Sequence, residues 1–196
     1  MAERIALTVV DLQNDFMPGG TLAVHEGDHV VQVANRYLEM FKVAGVPIYA
    51  TRDWHPPATK HFKQYGGIWP PHCVQGTWGA EFHSELRLPT DVIVVSKGMD
   101  PEQDSYSAFD AFEADGTPLA ESLRRRGVER LYIGGLATDY CVRWSVLSAM
   151  KLGFKITVLL DASLGVNLSP HDSERAITEM VREGAEVTTI ERVKLW

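Results

Sequence analysis

Short apolar runs alternate with amphipathic segments along most of the chain. Six runs rich in Val, Ile and Leu predict β-strands at residues 5–10, 46–51, 92–95, 131–133, 156–160 and 187–190. Most of these runs are almost continuously apolar, which is typical of parallel strands covered on both faces. Between the first two runs, apolar residues recur with the spacing of one helix face, and Gly45 follows as the expected stop. The residues of that face are Val30, Val33, Ala34, Tyr37, Leu38 and Phe41.

Local signals place two further helices. Thr117-Pro118 and Ser169-Pro170 each read as an N-cap followed by proline at the first helical position. The alternation of strands and helices predicts a three-layer α/β/α fold with a six-stranded, mainly parallel sheet, a Rossmann-like arrangement. We interpret residues 1–196 as a single domain.

One connection does not fit a simple crossover helix. The segment 52–91 is rich in Pro, Gly, His and Trp. A connection of that length in a small domain is usually functional, so we expect an insert that contributes to a site.

Composition excludes several classes of function. The 196 residues are 45% hydrophobic and 23% charged, as in ordinary globular proteins. The net charge is −7 and no basic stripe runs along the chain, which disfavours nucleic-acid binding. No apolar run approaches the ~18 residues that span a membrane, and the N-terminus carries no signal-peptide pattern. Two cysteines are too few for a disulfide framework, so we expect a cytoplasmic protein.

Chemically active side chains follow the predicted strands. In open α/β sheets, ligands bind where the carboxyl ends of the strands meet. The residues that follow strands one to five, in chain order, are Asp11, Asp53 with His55, Lys97, Cys141 and Asp161. An acid, a metal-type pair, a base and a thiol are therefore expected at one edge of the sheet.

Cys141 lies where a buried strand has passed through two glycines and a helix is about to begin. Backbone N–H groups and the positive end of the helix dipole favour a thiolate there, and they could hold an oxyanion beside it. Taken alone, Cys141 is more typical of an ordinary buried cysteine and Asp11 of a turn or cap residue, and Lys97 is consistent with a solvated charge. Together they form a coherent site, in which Asp11 moves the proton and Lys97 stabilises negative charge.

The insert carries a set of metal-type ligands. Asp53, His55, His61 and His72 combine a carboxylate with imidazoles, which suits Zn, Fe or Mn. Any one of these histidines could instead be a surface loop residue. Cys73, next to His72, is interpreted as a small buried residue because adjacent ligands seldom point the same way.

Five segments together resemble the nicotinamidases, which are isochorismatase-like cysteine hydrolases. The segments are 11–16 (DLQNDF), 53–56 (DWHP), 69–73 (WPPHC), 97–98 (KG) and 135–141 (GLATDYC). They occur in the family's order and cover nearly the whole chain. The first and last are shared across the superfamily, whereas the segments with metal-type residues mark the nicotinamidase and pyrazinamidase branch.

The resemblance implies hydrolysis of nicotinamide to nicotinate and ammonia through a cysteine thioester, a step of NAD salvage. By this analogy Asp11, Lys97 and Cys141 form the catalytic triad, and the amides of Ala137 and Cys141 form the oxyanion hole. The peptide between Leu136 and Ala137 matches a position that is cis in the family.

The resemblance also implies one divalent metal, with zinc preferred over iron or manganese, that anchors the pyridine nitrogen. Asp53, His55 and His72 would hold it, and His61 stands where some members have a fourth ligand. The expected substrate pocket consists of Phe16, Trp69, Tyr106, Leu136 and Tyr140. Tyr140 replaces a histidine of some relatives, which bears on specificity.

Other interpretations stay open at this point. The chain could be another amidase of the superfamily, such as one acting on an N-carbamoyl compound, or a metal-free hydrolase. It could also be a non-catalytic ligand-binding domain, or an unrelated α/β protein with a structural metal site. The expected partners are small molecules, nicotinamide or pyrazinamide, with neither nucleic acid nor membrane, and a homo-oligomer is left open.

Overall fold

A computed structural model describes residues 3–195, and its core is one six-stranded sheet. The strands are β1 (Ile5–Val10), β2 (Ile48–Asp53), β3 (Ile93–Lys97), β4 (Arg130–Leu136), β5 (Lys155–Leu164) and β6 (Glu186–Thr188). The α-helices are α1 (Gly27–Val43), α2 (Leu119–Arg125), α3 (Arg143–Lys151) and α4 (Asp172–Arg182). Every neighbouring pair of strands is parallel, in the order β3-β2-β1-β4-β5-β6. The predicted fold class is confirmed.

Two apolar clusters cover the two faces of the sheet. Along β1, Leu7 and Val9 join the cluster under α1, while Ala6 and Val10 join the other. The predicted face of α1 packs into the first cluster, whereas α2, α3 and α4 supply the second through Leu123, Val146 and Met180 respectively. Burial of each large aliphatic side chain contributes ~1.5–3 kcal/mol, which fixes the alternation of β1 between the two layers.

The strand order reverses between β1 and β4, since the chain leaves β1 toward β2 and leaves β4 toward β5. Such a reversal opens a crevice at the carboxyl ends of the strands. Asp11 follows β1 and Cys141 follows β4 at this point. Gly135 allows the two strands to approach: its φ is +137°, and an added Cβ would lie 2.1 Å from the carbonyl oxygen of Val10.

The starts of α2 and α4 differ from the prediction. Helix α2 has Pro118 itself at the N-cap, and α4 begins at Asp172 rather than at Pro170. The carboxylate of Asp172 accepts the N–H of Ser169 at 2.7 Å. The residues around Ser169 therefore form a turn ahead of the helix, because the aspartate and not the serine supplies the side-chain acceptor.

The prediction that Asp161 ends a strand at the site is wrong. Strand β5 continues to Leu164 after a register shift against β4, so Asp161 lies within it. Its carboxylate accepts the hydroxyl of Tyr37 at 2.7 Å and the N–H of Ile190 at 2.9 Å. Asp161 thus fastens α1 and the C-terminal segment to the sheet.

The insert between β2 and β3 has short 3₁₀ turns and no α-helix over 54–92. Isolated bridges tie it down, including His55 to Val74 and Phe62 to Trp69. It folds over the carboxyl end of β2 and brings its histidines to the crevice. Among the helices of residues 3–195, none is long and apolar enough to cross a membrane.

Candidate active site

Cys141 lies in a π-helical turn, Thr138–Val142, between β4 and α3. The turn follows a cis peptide bond between Leu136 and Ala137, as the resemblance implied. The hydroxyl of Ser145 donates to the carbonyl of Cys141 at 2.6 Å, which ties the turn to the first turn of α3. The thiol is 3.5 Å from the ammonium of Lys97.

Lys97 brings the three predicted catalytic residues together. It is the last residue of β3 and is fully buried. Its Nζ lies 2.9 Å from Oδ2 of Asp11 and donates a hydrogen bond to Oδ1 of Asp53. Burial alone would lower the pKa of Lys97, but the two carboxylates raise that pKa well above its ordinary value. Lys97 therefore stays charged beside the thiol.

Asp11 is a buried carboxyl in an unusual backbone conformation. Its φ is +52°, a region that aspartate tolerates better than most residues, and its Oδ1 accepts the hydroxyl of Thr51 at 2.5 Å. Burial raises the pKa of Asp11, with the charge of Lys97 acting in the opposite direction. A carboxyl with a raised pKa is suited to take up a proton and return it.

The surroundings of Cys141 act on the pKa of its thiol in opposite directions. Burial raises the pKa of Cys141 well above its ordinary value, and Lys97 only partly offsets this effect. Loss of hydration thus acts against the thiolate that the backbone N–H groups at the helix start favour. Cys141 keeps its proton until a base removes it, and Asp11 is the neighbouring carboxyl.

Three buried histidines of the insert form a cluster beside this triad. Ring nitrogens of His55, His61 and His72 lie within 4.8 Å of one another. Oδ2 of Asp53 is 3.7 Å from Nε2 of His55 and 3.9 Å from Nε2 of His72. Although burial acts in the opposite direction, the charge of Lys97 lowers the pKa of Asp53, which keeps it ionised.

Hydrogen bonds fix which nitrogen of each histidine faces the cluster. Nδ1 of His55 pairs with the carbonyl of Gly98 at 3.0 Å, and Nδ1 of His72 with that of Pro70 at 2.8 Å. Nδ1 of His61 pairs with a carboxylate oxygen of Asp104 at 2.7 Å. Because these oxygens only accept, each Nδ1 carries a hydrogen and each Nε2 presents a lone pair.

These residues fit a divalent metal ion. Nε2 of His55 is buried without a hydrogen-bond partner among the described residues, which is costly unless an ion or donor satisfies it. Ligand atoms ~2.0–2.2 Å from one zinc ion lie roughly 3–4 Å apart, close to the spacings around Asp53. Burial lowers the pKa of His72 to about 4, so its imidazole is neutral at physiological pH, as metal binding requires.

Two supporting residues were not predicted from the sequence. Gln13 donates to the carbonyl of Asp53 at 2.8 Å and accepts its N–H at 2.7 Å, which fixes the end of β2. Asp15 accepts the N–H of Cys73 at 2.7 Å and so holds the segment that carries His72. The sequence could have indicated these residues, because 13–15 form a polar run directly after a buried strand. Polar side chains in such a place need hydrogen-bond partners if they are buried.

A cavity opens between the thiol and the histidines, and Cys141, Asp53, His61 and His72 all line it. The predicted aromatic residues line its walls: Phe16, Trp69, Tyr106 and Tyr140. The expectation for Leu136 is wrong, because its side chain points into the core under α1. Two apolar residues missed from the sequence, Leu22 and Val166, complete the lining.

Comparison with known proteins identifies relatives of this arrangement. The family model described as the isochorismatase domain matches residues 5–192. A nicotinamidase of Escherichia coli (strain K12) is 42% identical over 201 residues, which cover 94% of this chain and 94% of the relative.

Solved structures agree with the sequence comparison. A pyrazinamidase of Pyrococcus horikoshii in complex with zinc matches with a TM-score of 0.88 and 47% identity, covering 95% of this chain and 99% of that one. The PnC1 protein of L. infantum in complex with nicotinate matches with a TM-score of 0.85 and 33% identity, covering 96% and 93%.

Proposed function

The chain belongs to the isochorismatase family, and on that premise we propose that it is a nicotinamidase, which hydrolyses nicotinamide to nicotinate and ammonia. The observation that carries the proposal is one cavity with aromatic residues in its walls, which is lined both by Cys141 and by three of the metal-type residues, Asp53, His61 and His72. An amidase for N-carbamoyl compounds is not favoured, since the relatives from E. coli and P. horikoshii act as nicotinamidase and pyrazinamidase.

In the first half of the reaction, Asp11 takes the thiol proton while the sulfur of Cys141 attacks the carboxamide carbon. The amides of Ala137 and Cys141 hold the oxyanion that forms. Asp11 then gives the proton to the departing amine, the C–N bond breaks, and ammonia leaves a nicotinoyl thioester on Cys141.

In the second half, Asp11 removes a proton from water as the water attacks the thioester carbon. The C–S bond breaks, Asp11 returns its proton to the sulfur, and the acid that forms releases its remaining proton to solvent to give nicotinate. Lys97 stays protonated throughout and offsets the negative charge that passes between Asp11 and Cys141. Its separations of 2.9 Å from the carboxylate and 3.5 Å from the sulfur support this role.

Asp53, His55, His61 and His72 would hold one divalent metal ion, since the three histidines cluster and the carboxylate of Asp53 adjoins two of them. The zinc in the complex of the P. horikoshii relative supports zinc. When bound, the ion supplies a Lewis acid that can hold the ring nitrogen of the substrate. Phe16 and Trp69 line the cavity and orient the ring so that its carboxamide faces Cys141. The ion serves binding, whereas the chain's own residues move the proton.

The proposal is tested by measuring ammonia release from nicotinamide by the purified protein, after chelation and after zinc is restored. Benzamide is the matched control, because it has the same shape without the ring nitrogen. We expect release from nicotinamide that depends on metal, and much slower release from benzamide at the same concentration. No ammonia from nicotinamide under any metal condition contradicts the proposal.

A further inference from the structure

The three histidines of the metal-type cluster are held in two different ways. His55 and His72 each pair through Nδ1 with a backbone carbonyl, at 3.0 and 2.8 Å. His61 pairs instead with the carboxylate of Asp104, at 2.7 Å. The side chain of His61 is 3% exposed, while that of Asp104 is 60% exposed. One buried ligand is thus oriented by a charged residue at the surface.

We propose that Asp104 is a positioning residue that orients His61 and sets the strength with which this histidine binds the metal. The inference rests on the metal centre of the proposed function. An ionised acceptor makes a shorter and stronger hydrogen bond than a carbonyl, and it increases the electron density that the opposite ring nitrogen offers to an ion. Asp104 therefore makes His61 a better ligand than its place in a loop alone would allow.

The segment that carries Asp104 is fastened to the segment of His61. The N–H of Lys60 donates to the carbonyl of Pro101 at 2.8 Å. The hydroxyl of Thr59 also donates to Pro101, at 3.2 Å. These contacts lie just before His61 and just before Asp104 in sequence, so they hold the two segments side by side where the carboxylate meets the imidazole.

The same segment reaches the cavity wall. Two residues after Asp104, the hydroxyl of Tyr106 accepts the indole N–H of Trp69 at 3.0 Å. Tyr106 and His61 also lie with their ring centroids 5.6 Å apart. The position of Asp104 is therefore set from the substrate side as well as from the side of Lys60.

Glu102 offers a matched control on the same segment. Its side chain is 64% exposed, close to the exposure of Asp104, and its ion pair is with Lys60 rather than with a histidine. Replacing either acid by alanine removes one surface carboxylate and leaves the core intact. A loss confined to the Asp104 variant is thus attributable to the contact with His61.

The test measures the affinity of the apo-protein for zinc by competition with a chromophoric chelator. We expect Asp104→Ala to weaken binding by roughly 10–100-fold, the range found for residues that orient metal-binding histidines. Asp104→Asn, which keeps an acceptor but loses its charge, should fall between Asp104→Ala and the unmodified protein. Glu102→Ala should bind zinc with unchanged affinity.

A second background shows whether Asp104 acts through His61. In a chain that already carries His61→Ala, adding Asp104→Ala should cause no further loss of zinc affinity. An equal loss in both backgrounds, or unchanged affinity in Asp104→Ala, overturns the inference.

Ammonia release separates this inference from the proposed function. If the unmodified protein releases no ammonia, nicotinamide hydrolysis is overturned. Weakened zinc binding in Asp104→Ala supports the role of Asp104 even in that case. Full ammonia release with unchanged zinc affinity in Asp104→Ala overturns only the inference. If the unmodified protein binds no zinc, the metal centre and the inference both fall.

Discussion

Replacing Lys97 by methionine tests the electrostatics of the site through protein stability. The substitution keeps the length of a fully buried side chain but removes the charge between the carboxylates of Asp11 and Asp53. Breaking a buried ion pair by removing one partner costs ~3–5 kcal/mol. For a chain of this size, that loss lowers Tm by about 10 °C.

The destabilisation should depend on pH in a defined direction. Burial already raises the pKa of Asp11, and Lys97 counteracts that rise, so the pKa climbs further in Lys97→Met. A folded state that binds an extra proton loses stability as pH rises through the folded pKa, and regains it as pH falls. The difference from the unmodified protein should therefore shrink as pH falls from neutral toward the ordinary pKa of a carboxyl group.

Urea unfolding followed by tryptophan fluorescence, with a chelator present, measures this effect. The double variant Lys97→Met/Asp11→Asn removes one of the two opposed carboxylates, so it should be more stable than Lys97→Met at neutral pH. The reasoning is refuted if Lys97→Met loses less than about 1 kcal/mol at neutral pH, as a solvated surface pair would. It is also refuted if the double variant is no more stable than Lys97→Met.

Other changes test the packing, the metal centre and the cavity. Gly135→Ala should destabilise by more than ~3 kcal/mol, because its Cβ collides with Val10, and unchanged urea unfolding would contradict this. Because the pKa of His72 is lowered to about 4, the unfolded chain protonates it first as pH falls. The stability of the apo-protein should thus fall below about pH 6.5, and less steeply in His72→Asn. Trp69→Phe loses the hydrogen bond to the hydroxyl of Tyr106, so it should raise KM for nicotinamide more than it lowers kcat. An unchanged KM would contradict the role of Trp69 in substrate binding.

The catalytic residues could be predicted because they follow buried strands. Asp11, Lys97 and Cys141 lie at or just after the ends of parallel strands, so the topology alone brings them to one edge of the sheet. The same reasoning failed for Asp161, because β5 shifts its register against β4 and continues past this residue. No local sequence pattern marks such a shift. The metal-type residues of the insert were recognised from their chemistry and supported by the family resemblance, whereas their clustering depends on how the insert folds.

The hydrogen bonds that support the site residues could not be predicted from the sequence. Gln13 contacts Asp53 across 40 residues, and Asp104 contacts His61 across 43. Each bond depends on the relative placement of two loops, and a polar residue in a loop is equally consistent with a solvated surface. The burial that raises the pKa of Cys141 could not be predicted either, since it depends on how distant segments pack around the thiol.

The central claim is that Cys141 is the nucleophile that hydrolyses nicotinamide. The chain has two cysteines, both buried and free, so Cys73 provides a matched control. The deciding measurement is the rate of ammonia release from nicotinamide by zinc-loaded Cys141→Ala and Cys73→Ala. We predict that Cys141→Ala releases no ammonia above background while still binding zinc, and that Cys73→Ala retains turnover. Substantial release by Cys141→Ala would contradict the account.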